Sequence, residues 1–374
     1  MAFLMKPASG LVNLFAQRKD NMLSIYTTEN IISTIFRDNE NKYDAWYDFI
    51  TKLRPTMKVL LDEDTDYDDN EYNPVFMFEK DYDIQVEPEY TDELGENSYL
   101  SRIEKMELNG VADPFAIFIL DVDEDTANRI SEKYGVVCHA LSSKTTSNPI
   151  FQEGIEKTVE RQETRKGWME LLTGKNTTPS NHLIFIDRYL FSDDSNGITQ
   201  QDGLDNVAEV LEKALPSKLG VDFHVLLIFD ATEMGKNMTF NQLSTKLNTI
   251  KKHIKRPYNI IIEALSINHS DFNYDETHNR RILSNYYIIR VDRSLKAFRG
   301  CKGLYTQTMW LDWLASKGII SHKASDAPSK ALVKYAKETI KAIEQLKKKL
   351  GETPFSQNGN CNLTIHDIRH RLLN

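Results

Sequence analysis

The sequence predicts an α/β protein, because strand-sized apolar runs alternate with helical segments along most of its length. Uninterrupted runs such as residues 115–120 and 223–229 are typical of strands buried on both faces of a sheet. The alternation favours a mixed, mostly parallel sheet covered by helices on both faces. A chain of 374 residues, of which 40% are hydrophobic, is long enough for two units of this kind.

The first part of the chain, residues 1–175, is expected to form the smaller α/β domain. Thr27 or Thr28 is a suitable cap for a helix after the first strand, and Gly135 is a suitable helix stop. Residues 62–97 are strongly acidic and are expected to form a solvated excursion. The predicted elements are strands at 22–26, 58–62, 74–78, 115–120 and 136–140, and helices at 125–134 and 151–174.

Residues 181–303 are expected to form the second domain, after a boundary near residues 176–180. Residues 304–374 are expected to form a basic helical tail. The elements predicted for the second domain are strands at 183–187, 223–229, 258–263 and 286–291, helices at 204–215 and 239–255, and one more strand that begins near residue 278.

The net charge of −9 is unevenly distributed. Residues 1–150 carry 14 Lys and Arg against 29 Asp and Glu, whereas residues 251–374 carry 22 against 11. This asymmetry predicts a polyanion as the partner of the basic end and an unknown protein as the partner of the acidic end. The three cysteines are far apart, and no apolar run approaches the roughly 20 residues of a membrane span, so a cytoplasmic location is expected.

The most informative local pattern is His278-x-Arg280-x4-Asn285. Residues two apart on a strand point to the same face, so the imidazole and the guanidinium are expected to project together. An imidazole beside a guanidinium is a candidate site for handling phosphate, since Arg binds phosphate oxygens in a bidentate manner.

Two further segments accompany this pattern, namely 187–189, with the sequence Asp-Arg-Tyr, and 285–286, with the sequence Asn-Tyr. Together these segments resemble the phospholipase D superfamily, whose signature is His-x-Lys-x4-Asp. Residues 181–300 are similar to the degenerate domain of this superfamily at the C-terminus of MIT-domain proteins and in bacterial relatives. Here Arg replaces the Lys of the signature and Asn replaces its Asp.

The resemblance implies a site in which His278 is the nucleophile, Arg280 binds the phosphoryl oxygens and Asn285 takes the orienting position. The family mechanism also needs a second histidine as the acid, so catalysis would require a homodimer. Asn cannot stabilise an imidazolium as a carboxylate does, and phosphate binding is therefore favoured over cleavage. The alternative is that Arg280 forms an ion pair with Glu276 or Asp187.

Basic and aromatic residues surround the motif and are expected to bind a polyanion. Nucleic acid is the favoured ligand, bound through its phosphates and released by salt, and anionic lipid is the alternative. The expected contact residues are Asp187, Arg188, Arg281, Tyr286, Arg290, Arg293 and Lys296.

A second candidate site follows the apolar run at 115–120. Asp121 and Asp123 resemble the Asp-x-Asp pair of Toprim-type nuclease domains, and Glu29 is in the place of the distant glutamate of that family. Oxygen ligands of this kind suit Mg²⁺. Asn30 occupies the position of the family's glycine. The alternative is that these aspartates cap the next helix.

The leading hypothesis is a nucleic-acid-binding protein without a cofactor, and the bacterial relatives imply a role in a defence or toxin-like system. The second hypothesis is a phosphodiesterase or nuclease, acting through His278 in a dimer or through Mg²⁺ at Asp121 and Asp123. The third is an interaction scaffold that has no catalytic activity.

Overall fold

A computed structural model describes the chain over nine ranges, which are 23–37, 42–61, 74–90, 115–141, 149–151, 154–172, 179–235, 238–266 and 280–313. The helices are α1 Glu29–Arg37, α2 Asp44–Leu53, α3 Pro74–Tyr82, α4 Glu124–Tyr134, α5 Gln200–Ala214 and α6 Phe240–His253. The strands of the first sheet are β1 Ser24–Thr28, β2 Thr56–Leu61, β3 Val86–Tyr90, β4 Ala116–Leu120 and β5 Val137–Ala140. The later strands are β6 Ile155–Val159, β7 His182–Ile186, β8 Phe223–Phe229, β9 Ile260–Ser266, β10 Arg280–Ser284, β11 Tyr287–Val291, β12 Phe298–Arg299, β13 Lys302–Gly303 and β14 Gln307–Trp313.

The first sheet has five parallel strands in the order β3-β2-β1-β4-β5. Strands β2 and β3 lie on one side of β1, and β4 and β5 lie on its other side. β1 and β4 therefore flank the point where the strand order reverses. Gly135 ends α4 in the left-handed conformation, with φ of 65°. A Cβ atom there would lie 2.5 Å from the carbonyl oxygen of Ser180, so only glycine allows this close approach to the second unit.

The second sheet has seven strands in the order β6-β14-β11-β10-β7-β8-β9. Strands β7, β8 and β9 are parallel, and the other four pairings are antiparallel. The α/β class and the mixed sheet are therefore confirmed. The mostly parallel arrangement expected for this sheet is found in the first sheet instead, since only two of the six pairings here are parallel. The parallel strands are those joined by α5 and α6, because a parallel connection needs a crossover whereas an antiparallel one needs only a hairpin.

The two sheets share a hydrophobic core. Ile184, Leu226 and Leu283 on one face of the second sheet pack into the same core as α1 and α2 of the first unit. The opposite face of the second sheet packs against α5 and α6. None of the helices in the described ranges has the length and hydropathy needed to cross a membrane.

Three predicted elements are wrong. Residues 74–78 begin a helix rather than a strand, with Pro74 at the first position, where a missing N–H costs nothing. The helix predicted at 151–174 is replaced by β6 and a short 3-10 helix, Gly167–Glu170. The start of the predicted helical tail is β14, in which buried and partly exposed residues alternate as on a strand.

The second sheet extends beyond the predicted limits of 181–303, since β6 and β14 lie outside them. β6 is an edge strand with three exposed residues in succession, so it offers no apolar alternation that would predict a strand. The solvated excursion predicted at 62–97 is wrong for residues 74–90, because α3 and β3 bury Val75, Phe78 and Val86 in the core of the first unit. Residues 62–73 and 91–97 and the tail from residue 314 lie outside the described residues.

Candidate functional site

The carboxyl edge of the second sheet is the edge at which β7 and β8 end and β10 begins. β11 ends and β14 begins at the same edge, because Arg280 is opposite Val291 and Val291 is opposite Met309. The structure therefore brings to one edge five of the predicted residues, which are Asp187, Arg188, Arg280, Arg293 and Lys296.

Asp187 holds this edge together. Its side chain is 0% exposed. One carboxylate oxygen accepts a hydrogen bond from the backbone N–H of Tyr189 at 2.9 Å. The other accepts from the backbone N–H of Leu295 at 2.8 Å and from the hydroxyl of Ser294 at 3.2 Å. Because these bonds join the loops after β7 and β11, Asp187 has a structural role in the fold.

Arg280 lies against this carboxylate. Its Nε is 3.7 Å from Oδ1 of Asp187, and its Nη1 donates to the carbonyl oxygen of Asp292 at 3.2 Å. The residue is only 9% exposed. The ion pair with Asp187, one of the two alternatives open from the sequence, is therefore present, and it is buried rather than superficial.

Arg188 forms a second buried ion cluster beside the first. Its Nη2 donates to Glu233 at 2.6 Å, and its Nε lies 3.4 Å from Oδ2 of Asp230. The other oxygen of Asp230 accepts hydrogen bonds from the backbone N–H and the hydroxyl of Thr232. Sequence reasoning missed the role of Asp230 and Glu233 as partners, although Asp230 directly follows an apolar strand as Asp187 does.

Lys296 is buried, and its Nζ donates to both the carbonyl and the hydroxyl oxygen of Ser192. Burial lowers the pKa of Lys296, while the charge of Asp187 and of other nearby aspartates opposes this effect. This lysine therefore fixes the loop after β7 and is not available to a large ligand.

Arg293 differs from these cations because it is exposed. Its guanidinium lies over the ring of Tyr305, 4.8 Å from the centroid. The hydroxyl of Tyr305 donates to Asp194 at 2.9 Å. Among the described residues Arg293 forms no salt bridge, so its charge is available at the surface of the carboxyl edge.

Asn285 and Tyr286 lie at the opposite edge of the same sheet, in the two-residue turn between β10 and β11. The side chains of Asn285 and Asn181 form a reciprocal pair, in which the backbone N–H of Asn181 donates to Asn285 and the amide of Asn285 donates back, each at 3.0 Å. The hydroxyl of Tyr286 donates to the carbonyl oxygen of Ala116 at 2.5 Å and accepts from the N–H of Val137 at 3.0 Å. Tyr286 therefore fastens the second sheet to the first, and Asn285 supports Asn181, whose side-chain amide donates to the carbonyl oxygen of Tyr134 in the first unit.

The predicted triad is thus divided. Arg280 and Asn285 are separated by the length of β10, which is roughly 16 Å at about 3.3 Å per residue. His278 lies outside the described residues. The structure does not bring Arg280 and Asn285 into one pocket, since Asn285 is buried at the opposite edge.

Arg281 and Arg290 are brought together on a face of the sheet rather than at its edge. They are directly opposite each other on β10 and β11, and Arg290 is directly opposite Trp310 on β14. All three are partly exposed. We name these three residues the Arg–Trp row. Like charges directly opposite each other on neighbouring strands repel, so this pairing favours anions beside it.

Trp310 was not predicted as a functional residue. Its indole is 5.6 Å from the guanidinium carbon of Arg290, within the range of a cation–π contact. Arg290 also donates to Asp312 at 2.8 Å, which balances one of the two arginine charges. The alternation of polar and apolar residues in β14 was the available signal, because it places Trp310 on the face opposite to buried Met309 and Leu311.

The candidate Mg²⁺ residues lie at the carboxyl edge of the first sheet. β1 and β4 are adjacent and parallel, so Glu29 and Asp121, which directly follow them, emerge at the same edge. Asp123 caps α4, since its carboxylate accepts from the backbone N–H and the hydroxyl of Thr126. These hydrogen bonds lower the pKa of Asp123. Within the described ranges, no group of three or more potential ligands lies close enough to hold a metal ion.

No known family model matches the chain, and no curated protein is significantly similar to it.

Proposed function

We propose that this protein binds nucleic acid without cleaving it, and that the binding surface is the Arg–Trp row of the second sheet together with Arg293. The observation that carries the proposal is the direct opposition of Arg281 and Arg290 on a partly exposed face. A phosphate between the two guanidinium groups would accept hydrogen bonds from both.

Binding rather than cleavage is supported by the division of the predicted triad. Arg280 is held by Asp187, and Asn285 is buried at the far end of β10. These two side chains are therefore not placed to act together on one phosphoryl group. The cations of this proposed surface that are partly or fully exposed are Arg281, Arg290 and Arg293.

The test is fluorescence anisotropy of a labelled oligonucleotide at increasing salt. Affinity should fall steeply with salt, and Arg281→Ala or Arg290→Ala should each weaken binding and reduce the salt slope by about 1. Lys252→Ala is the matched control, because it removes one exposed positive charge from α6 on the other side of the sheet. It should leave the slope unchanged.

Two outcomes would contradict the proposal. One is the absence of oligonucleotide binding at low salt, with or without retention on vesicles of anionic lipid. The other is equal weakening by Lys252→Ala and Arg281→Ala, which would indicate that binding is spread over the whole surface.

The second candidate function is a Mg²⁺-dependent phosphodiesterase at the first sheet. The observation that favours it is the position of Glu29 and Asp121 at the point where the strand order reverses, which is where ligands bind in open α/β sheets. Cleavage of an oligonucleotide that is abolished by EDTA and by Asp121→Asn would support it. Cleavage unaffected by both changes, or no cleavage in millimolar Mg²⁺, would contradict it.

A further inference from the structure

We infer that the ligand of the Arg–Trp row is a single-stranded segment of nucleic acid, with a base stacked on Trp310 and neighbouring phosphates bound by Arg281 and Arg290. This inference rests on the proposed function and assigns its ligand class. The observation that carries it is that Trp310 continues, in register, the line formed by the two arginines.

The row places a planar side chain beside two cations, and a nucleotide chain offers a base beside the phosphates of its backbone. Adjacent strands are about 4.8 Å apart, so the backbone at Trp310 is roughly 5 Å from that at Arg290 and roughly 10 Å from that at Arg281. A planar group is thus followed by two cations across a partly exposed surface. Single strands are bound by this combination of an aromatic platform and a line of positive charge.

The exposure of Trp310 sets it apart from the other tryptophans of the chain. Trp46, Trp168 and Trp313 are at most 1% exposed and belong to the hydrophobic cores. Trp310 is partly exposed and belongs to neither core. An indole on a sheet face beside two arginines, with part of its surface exposed, offers a surface for a stacked ring.

Duplex nucleic acid does not fit this surface as well. In a duplex the bases are paired and stacked on one another, so a base must leave the stack before it can lie on Trp310. A single strand has no such cost, since its bases are already available for stacking. The preference for single strands therefore follows from the aromatic residue, whereas the arginines alone would bind either form.

The flanking residues are compatible with a nucleotide chain. Thr308 lies on the same face of β14 as Trp310, two residues away, and is partly exposed. Glu156 is directly opposite Trp310 on β6, the edge strand, and is exposed. The negative charge of Glu156 lies at the outer end of the row and repels phosphates. The bound nucleic acid is therefore expected to extend from Trp310 toward Arg281, away from β6.

The experiment uses the intrinsic fluorescence of the full chain. Because three of the four tryptophans are buried, a change in emission on adding oligonucleotide reports mainly on Trp310. The ligand is an unlabelled oligothymidylate of about 12 nucleotides, a length within the range bound by single-strand platforms. A hairpin duplex of the same phosphate count is the comparison. Anisotropy of the same oligonucleotides, labelled, gives affinities independently of the tryptophan signal.

Two variants at position 310 separate stacking from folding. Trp310→Leu keeps an apolar side chain on the strand but removes the aromatic face, and it should weaken single-strand binding by about 5- to 100-fold. Trp310→Phe keeps an aromatic face and should restore most of the affinity. Trp313→Phe, on the opposite face of the same strand, is the control and should bind as the wild type does. Circular dichroism establishes that each variant is folded.

The outcomes distinguish the preference for single strands from the proposed binding of nucleic acid. Quenching by oligothymidylate, tighter binding of the single strand than of the hairpin, and loss in Trp310→Leu with recovery in Trp310→Phe would support the inference. Oligonucleotide binding that is unchanged in Trp310→Leu, or equal for single strand and hairpin, would overturn the inference and leave the proposed function standing. No binding of either form at low salt would overturn both.

Discussion

The two ends of β10 have opposite chemistry. At the carboxyl edge, Arg280 lies against Asp187 in a cluster of buried ions. At the other end, Asn285 and Tyr286 form neutral hydrogen bonds to Asn181 and to the strands of the first sheet. Five residues of sequence therefore separate an ionic edge from a neutral edge that joins the two units.

The comparison shows why the spacing of a motif predicts a site only together with its secondary structure. On a strand, residues two apart share a face, but residues five apart are roughly 16 Å apart. Arg280 and Asn285 can therefore share a pocket only if the strand ends between them, and β10 continues up to Ser284. The functional surface is instead formed across strands, where Arg281, Arg290 and Trp310 are aligned.

The largest expected effect is at the ionic end. Asp187→Ala removes the acceptor of two backbone N–H groups and one hydroxyl, and it leaves Arg280 buried without a carboxylate. Breaking one partner of a buried ion pair costs about 3–5 kcal/mol. Urea unfolding followed by circular dichroism should show this loss in the free energy of unfolding.

Asp121→Ala is the matched control at the first sheet. Asp121 also follows an apolar strand, but it is exposed, so the change should stay within about 0.5 kcal/mol. Equal losses in the two variants would show that the buried position of Asp187 has no special role.

At the neutral end, Tyr286→Phe should cost about 1–3 kcal/mol. The hydroxyl of Tyr286 satisfies a carbonyl oxygen on β4 and an N–H on β5, and its removal leaves both buried groups without this partner. Tyr287→Phe is the control, because Tyr287 is buried in the core on the opposite face of the sheet, away from the first unit. Thermal unfolding of the two variants should differ, and identical transitions would contradict the fastening role of Tyr286.

The parts of the fold that the sequence predicted well are those where burial on both faces leaves an apolar run. Strands β4, β7 and β8 are of this kind. β6 and β14 could not be predicted in the same way, because β6 is exposed at the sheet edge and β14 has one polar face. Their pairing depends on each other and on β11, which are contacts distant in sequence.

The candidate site was predicted only in part, for the same reason. Arg281 and Arg290 were expected to contact a ligand, but their direct opposition follows from the register of the β10–β11 hairpin. The burial of Arg280 depends on the loop after β11, which brings Ser294 and Leu295 to Asp187. Neither feature is encoded in the local pattern around the motif.

A smaller effect on stability is expected from a further ion pair, in which the guanidinium of Arg299 on β12 donates to the carboxylate of Asp202 on α5 at 2.7 Å. Burial raises the pKa of Asp202, but the hydrogen bonds from Arg299 and Thr199 outweigh it and lower the pKa overall. A carboxyl group with a lowered folded-state pKa adds stability above its unfolded pKa, and this stability is lost as the pH falls through the folded pKa. The contribution to the free energy of unfolding is about 1 kcal/mol, since Arg299 is largely exposed.

Arg299→Gln should therefore reduce stability at neutral pH and flatten the decline in stability below about pH 4. The difference between wild type and Tyr286→Phe should stay constant over the same range, because the groups at the neutral end do not titrate there. A pH-dependent difference between wild type and Tyr286→Phe would contradict the conclusion that neutral hydrogen bonds hold the end of β10 at Asn285 and Tyr286.

The smallest effect on stability is expected for Arg293, the exposed cation of the ionic edge. Arg293→Ala removes only a contact with the ring of Tyr305, so the free energy of unfolding should change by no more than about 0.5 kcal/mol. Its charge is not balanced by a described carboxylate, and its loss should weaken oligonucleotide binding and reduce the salt slope by about 1.

Arg188, held by Asp230 and Glu233 at the same edge, provides the contrast, because Arg188→Ala should cost stability through its broken ion pairs. Anisotropy measures oligonucleotide binding and urea unfolding measures stability, and the two should single out different arginines at this edge. A large loss of stability in Arg293→Ala would contradict this separation.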